Sequence, residues 1–114
     1  MKQFSLLVRV PVTYTTEQAI AVGPQWNELL DTWKAEDVYI ISFAFPGESF
    51  TVTGAEKTIK KEIVLSNDLK AVSNLVIQAE DITQAIERAK QCPILAHGGS
   101  VEVREIPKPV VLSK

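Results

Sequence analysis

The stretch that decides the fold is DITQAIERAKQCPILAHGGSVEVREI, residues 81–106. Asp81 and Gln84 have the spacing of a helix N-cap and the third residue of its helix. Apolar residues recur after the cap at helical intervals (82, 85, 86 and 89). Pro93 ends this helix because proline disfavours a helical residue before it. A glycine pair then turns the chain into a strand in which apolar and charged residues alternate.

The first third of the chain predicts a matching half. Residues 3–10, QFSLLVRV, alternate as a strand with one strongly apolar face does. Thr15 and Gln18 have capping-box spacing at the start of a helix. A stripe of tryptophan and leucine at helical spacing follows over residues 26–33. Pro24 predicts a kink, or a fresh helix start, just before that stripe.

The middle of the chain predicts strands joined by turns. Residues 38–45, VYIISFAF, are apolar on both faces, with the odd-numbered side chains expected together on one of them. Residues 49–53 and 58–66 predict a hairpin around a Gly-Ala-Glu-Lys loop. Residues 72–79 predict another strand. The pattern therefore reads strand, helix, strand, hairpin, strand, helix, strand.

This order predicts an α+β fold, a ferredoxin-like βαββαβ unit with an inserted β-hairpin. We expect an antiparallel sheet with two helices on one face. Residues 1–106 are expected to form a single domain, followed by an extended tail over 107–114, which carries two prolines. Two helices leave the second face of the sheet uncovered, and its apolar side chains favour burial against a second copy. The sequence therefore predicts a homodimer.

Composition excludes several classes of protein. The formal net charge of −2 lacks the basic surplus that nucleic-acid binding needs. No apolar run approaches the length of a membrane span, so we expect no membrane partner. A single cysteine rules out a disulfide within one chain and is typical of a reducing compartment, so a cytoplasmic location is expected.

Candidate chemistry begins with His97, the only histidine. A histidine-based acid–base step would have to use it, although a solvated loop histidine is the simpler interpretation. Cys92 precedes a proline and is expected to be a buried small hydrophobic residue. One histidine and one cysteine do not make an ordinary zinc site, so no metal is expected. No nucleotide-binding or nucleophile motif is present, and no cofactor is expected.

A second set of residues predicts ligand binding. Glu102 and Arg104 share one face of the last strand, and Arg9 lies on the polar side of the first strand. Such a cluster can hold a small anion or a carboxylate, or it can be a salt bridge that fixes strand register. Tyr14 is expected to line a cleft at the first helix and completes the predicted ligand-binding set.

The quoted stretch also resembles a known family. Its residues 81–93, DITQAIERAKQCP, and 97–106, HGGSVEVREI, resemble the C-terminal signature of the YCII-related (DGPF-type) family. The opening KQFSLLVRV and the segment WNELLDTWKA are similar to that family's first strand and first helix. The D-G-P-F motif is replaced by VLSNDLKAV at residues 64–72, and the early histidine of related members has no counterpart before His97. The resemblance implies a ferredoxin-like fold that assembles as a dimeric α–β barrel.

Three functions remain open at this point. The leading hypothesis is a small dimeric protein that binds an anionic or aromatic small molecule in a pocket between sheet and helices. The second is a lyase- or isomerase-type enzyme that uses His97 as its acid or base. The third is a non-catalytic regulatory or scaffold dimer.

Overall fold

The structure is a computed structural model and describes residues 1–108. Its elements are β1 (Lys2–Pro11), α1 (Thr16–Ala35), β2 (Tyr39–Ala44), β3 (Phe50–Thr53), β4 (Thr58–Lys61), β5 (Leu65–Ser66), β6 (Leu69–Ala79), α2 (Ile82–Ala89), a 3-10 helix (Pro93–His97) and β7 (Ser100–Ile106). The predicted extended tail lies, from residue 109 onward, outside the described residues.

The main sheet is antiparallel and has the strand order β2-β6-β1-β7, with β5 paired to β6. The strands β3 and β4 form a separate two-stranded sheet. The predicted α+β class, with two helices and an antiparallel sheet, is confirmed, and the arrangement is compatible with a ferredoxin-like fold. No helix within residues 1–108 is long and apolar enough to span a membrane.

The core lies on one face of the sheet, which we call the helix side. Alternate residues of β1 point to it and are at most 1% exposed: Phe4, Leu6, Val8 and Val10. Trp33 of α1 and Ala85 of α2 are fully buried in the same cluster. The opposite face, the outer face, carries Leu7 and Arg9 and has no helix on it among the described residues.

Helix α1 does not start afresh at Pro24, which was one of the two alternatives expected there. The helix is continuous from Thr16 to Ala35, with Pro24 inside it. Proline leaves the carbonyl of Ile20 without its usual N–H donor, but Ile20 is 71% exposed, so water can solvate that carbonyl. The preceding Gly23 has no Cβ to clash with the proline ring. The predicted capping box between Thr15 and Gln18 is confirmed.

Strand β2 corrects the predicted alternation of residues 38–45. The register shifts between Tyr39 and Ile41, because the strand bulges against β6. Tyr39 and Ser42 therefore share the helix side, where their hydroxyl oxygens lie 2.7 Å apart in a hydrogen bond. Ile41 and Phe43 turn to the outer face and are 54% and 47% exposed. The prediction of one common face for the odd-numbered residues was wrong.

The hairpin also differs from its prediction. The expected return strand over 58–66 is two separate strands, and only β4 pairs with β3. Asn67 and Asp68 both have positive φ, 52° and 62°, which is the conformation of a tight type I′ turn between β5 and β6. Strand β6 consequently begins earlier than predicted.

Helix α2 has the predicted cap, and only part of its apolar stripe is buried. Asp81 accepts a hydrogen bond from the backbone N–H of Gln84 at 2.9 Å, whereas the Gln84 side chain accepts from the backbone N–H of Glu80. Ala85 and Ala89 are buried, but Ile82 and Ile86 remain 42% and 41% exposed. The apolar stripe of α2 is therefore only half covered in one copy of the chain.

Candidate functional site

The three charged residues predicted to cluster do so on the outer face. Strands β1 and β7 pair antiparallel with Leu7 opposite Glu102 and Ser5 opposite Arg104. This register brings an Arg9 nitrogen to 2.7 Å from Glu102 Oε1. The Arg104 Nε donates to the second carboxylate oxygen of Glu102. One carboxylate thus bridges two guanidinium groups.

Electrostatics in this cluster favour the ionised carboxylate. The hydrogen bond from Arg9, followed by that from Arg104, lowers the pKa of Glu102 below its usual value. Glu102 already takes donors from both arginines, so an added anion would have to compete with it. The side chain of Arg104 is 78% exposed, which makes this an open surface cluster rather than an enclosed pocket.

Tyr14 and His97 form a separate pair. Their ring centroids lie 6.4 Å apart at 73°, an edge-to-face contact. Partial burial raises the pKa of the Tyr14 phenol. Tyr14 lines a pocket together with Val8 and Val10, whose side chains point to the helix side. The structure therefore does not bring Tyr14 to the Arg9 cluster, because Arg9 points to the opposite face of the sheet.

The turn after the 3-10 helix fixes the position of His97. Gly98 has φ of 80°, in the left-handed region that glycine adopts without strain. Gly99 is required for a different reason: a Cβ there would lie 2.6 Å from the backbone oxygen of Arg9 and 2.6 Å from Ile94 Cγ1. This close approach holds the end of the 3-10 helix against β1. His97 therefore lies next to the chain that leaves β1 and carries Tyr14.

A groove between α1 and the sheet encloses about 350 Å³. We call it the helix-side pocket; its walls include Tyr14, Thr15, Trp26, Lys70, Val72 and Ile94. A neighbouring hollow of about 290 Å³ shares Trp26, Ala44 and Ser73 with it. The volume lies within the range of small-molecule sites, and an apolar lining with a few polar groups is typical of them.

A larger hollow lies at the base of the hairpin. This hairpin-base pocket encloses about 460 Å³, and Phe45, Phe50, Ile63 and Val64 supply much of its apolar wall. Lys70 lines both this pocket and the helix-side pocket. Lys70 is therefore the cationic residue common to the two linings. No ion pair found within residues 1–108 uses it.

Sequence reasoning did not single out Lys70. The structure pairs Lys70 with Val10 of β1, so this lysine lies among apolar side chains. To predict this position from the sequence, one would need to know where β6 starts and that a bulge shifts β6 against β1 between Val8 and Arg9. For Trp26 the helical spacing favoured a core position over a position lining a cleft with Tyr14, and the structure places it half-buried at the wall of the pocket.

Cys92 agrees with its predicted role. It is 3% exposed, and burial raises the pKa of its thiol to about 12. The thiolate is the reactive form, so this cysteine is not a nucleophile in the folded chain. Within the described part of the chain, no group of three or more His, Cys, Asp and Glu side chains could hold a metal ion.

Comparison with known proteins adds no family assignment. Neither a scan against protein-family models nor a search of curated proteins found a match.

Proposed function

We propose that this protein binds a small aromatic anion, such as an aromatic carboxylate, in the helix-side pocket. The observation that carries the proposal is the lining itself: Tyr14 and Trp26 offer aromatic surfaces, and Lys70 supplies a cation free of any ion pair within residues 1–108. Aromatic rings stack on a planar ligand, and the ammonium group balances its charge. This ligand class combines the two features expected from the sequence.

The proposed site differs from the cluster of Arg9, Glu102 and Arg104. In that cluster the carboxylate occupies donors that an anion would need, and the surroundings are open. The helix-side pocket is an open groove with apolar surface for a ring. The two sites make opposite predictions for mutations, so one experiment separates them.

Titration with benzoate and 4-hydroxybenzoate, followed by amide NMR shifts, tests the proposal. Benzamide serves as the uncharged matched probe. We expect benzoate to bind and Lys70→Ala to weaken it about tenfold or more, because charged hydrogen-bond partners contribute roughly 1.5–3 kcal/mol. Lys60→Ala, in the exposed hairpin, is the control and should leave binding unchanged. Loss of binding in Arg104→Ala, with Lys70→Ala unaffected, would assign the ligand to the outer-face cluster instead.

A second candidate function is acid–base catalysis by His97. The contact of its ring with Tyr14, at the wall of the helix-side pocket, favours this candidate. Any lyase or isomerase activity found with a bound ligand should fall about a hundredfold or more in His97→Ala. A change within a few fold would remove His97 from the chemistry. Absence of binding across a broad panel of aromatic and aliphatic acids would favour the regulatory or scaffold dimer.

The proposed assembly is a homodimer in which outer faces meet, as in the dimeric α–β barrel of the YCII-related family. What supports it is apolar surface on that face, where Ile41 is 54% and Phe43 47% exposed and where Leu7 lies on β1, beyond the intervening strand β6. We also propose that the chain belongs to the YCII-related family, and the likeness of residues 92–106 to the family signature supports this proposal. Elution as a monomer at micromolar concentration, measured by size exclusion with light scattering, would contradict the dimer.

A further inference from the structure

The hairpin β3–β4 has one apolar and one polar face. Its register pairs Phe50 with Lys61 and Val52 with Ile59. Phe50, Val52 and Ile59 therefore share a face with Lys61, since directly paired residues point to the same side. Their exposed fractions are 58%, 63% and 70%. The opposite face is formed by polar side chains: Thr51, Thr53, Thr58 and Lys60.

Such a pattern normally marks a surface that packs on something. Within residues 1–108, β3 and β4 pair only with each other, and the hairpin joins neither edge of the main sheet. An isolated two-stranded hairpin is at best marginally stable in water. The radius of gyration is 16.1 Å, against about 13 Å for a compact chain of this length. The molecule is also only 20 Å thick, about one sheet and one helix layer.

Apolar side chains connect the sheet to the base of this hairpin. The Phe43 and Phe45 rings meet edge to face with centroids 5.7 Å apart. Phe45 in turn lines the hairpin-base pocket with Phe50, Ile63 and Val64. These five residues form a strip that connects the exposed edge strand β2 to the base of the hairpin.

We propose that the hairpin β3–β4 is a dimerisation arm whose apolar face packs against a second copy of this chain. This inference rests on the homodimer of the proposed function and adds a contact that the meeting of outer faces does not require. The second copy is favoured by the area available. Large apolar side chains of the arm, the strip and β2 are on average about half exposed: Phe50, Val52, Ile59, Ile63, Val64, Leu65, Ile41, Phe43 and Phe45.

At roughly 150 Å² for a fully exposed large apolar side chain, these nine present on the order of 700 Å² per copy. A standard stable interface buries about 800 Å² on each partner. In a dimer with a two-fold axis, each arm packs on the other copy, so both arms and both outer faces are buried by the same set of contacts. The arm and the outer face together therefore come close to the area of a standard interface, which neither set of residues approaches alone.

Matched pairs of substitutions test the arm. Val52→Thr with Ile59→Thr keeps β-branched side chains and strand propensity but removes apolar surface from the exposed face. We expect the dimer dissociation constant, measured by sedimentation equilibrium, to rise at least about thirtyfold, the loss of one interface hot spot. Thr53→Ser with Thr58→Ser, a directly opposed pair on the polar face, is the control and should change it less than about threefold.

A third pair separates the arm from the outer-face contact. Ile41→Thr with Val76→Thr alters two paired outer-face residues and leaves the hairpin intact. Weakening by this pair but not by the arm pair would overturn the arm and leave the dimer of outer faces standing. Weakening by the arm pair alone would support the arm and contradict the outer-face contact. A wild-type chain that stays monomeric at high micromolar concentration would overturn both.

Hydrogen exchange on the wild-type chain gives a second readout that no variant can spoil by misfolding. We expect the amides of β3 and β4 to be protected at high protein concentration and to lose protection at least about tenfold on dilution below the dimer dissociation constant. Protection that does not change with concentration would mean that the hairpin packs on its own chain. Absence of protection at all concentrations would leave the arm for a different partner. Either result overturns the proposal.

Discussion

Strand β1 and the hairpin β3–β4 carry the same kind of pattern with opposite outcomes. In β1 the apolar side chains Phe4, Leu6 and Val8 are at most 1% exposed because both helices pack on that side. In the hairpin Val52 and Ile59 are 63% and 70% exposed. Alternation fixes which side chains share a face, but it does not say what covers that face. The cover of β1 comes from the same chain, whereas no element within residues 1–108 covers the apolar face of the hairpin.

The largest expected contrast between the two regions is in thiol reactivity. Native Cys92 should react with a disulfide reagent more than about a thousandfold slower than a free thiol, because its pKa is about 12 whereas that of a free cysteine is about 8.5. The variant Val52→Cys, in a Cys92→Ala background, places the thiol on the exposed hairpin. Dilute protein of this variant should react at nearly the rate of a free thiol, as followed by absorbance at mildly alkaline pH.

Both proteins unfolded in urea supply the control, since their thiols should then react at one rate. A fast reaction of native Cys92 would mean that the helix side opens far more readily than its packing indicates. If the thiol of Val52→Cys reacts more slowly as the protein concentration rises, a second copy covers the arm.

Core truncation gives the next contrast. Leu6→Ala removes a fully buried side chain and should lower the free energy of unfolding by about 2–5 kcal/mol. Ile59→Ala removes a side chain that is 70% exposed and should change it by less than about 0.5 kcal/mol in dilute protein. Urea unfolding monitored by the fluorescence of buried Trp33 measures both. Equal losses at high dilution would contradict the description of Ile59 as a side chain left largely uncovered by residues 1–108.

Local rules decided the parts of the fold that the sequence predicted. The Thr15–Gln18 box and the Asp81 cap need only a few neighbouring residues, and both are confirmed. The position of Gly98 at positive φ also follows from the turn alone. Short-range hydrogen bonds and backbone sterics fix these features before tertiary packing acts.

Features that depend on distant partners were predicted less well. Strand β2 is apolar on both faces, so its bulge at Ile40 left no mark in the alternation, and only its pairing with β6 sets which side chains turn outward. Ile82 and Ile86 are half covered because α2 approaches the sheet through its alanines, Ala85 and Ala89. The placement of Lys70 between two pockets likewise depends on a bulge rather than on its neighbours in the chain.

The smallest expected effect belongs to the outer face, where Glu102 bridges Arg9 and Arg104. Its pKa is lower in the folded chain than in the unfolded one, so the folded state binds fewer protons. The stabilisation is therefore complete above the unfolded carboxyl pKa of about 4.3 and is lost as the pH falls through the lowered folded value. Glu102→Gln should have a slightly lower urea midpoint than the wild-type chain at pH 7, and the difference should shrink below about pH 4.

The matched control is Glu105→Gln, because Glu105 pairs with Lys2 at a longer 3.7 Å and both side chains are about half exposed. It should show almost no difference at either pH. A gap between Glu102→Gln and the wild-type chain that stays constant into acid would mean that the glutamine disturbs strand pairing instead of removing a charge. A gap far larger than that of an exposed ion pair would mean that a second copy buries the cluster, since desolvation strengthens the penalty for an unpaired Arg9.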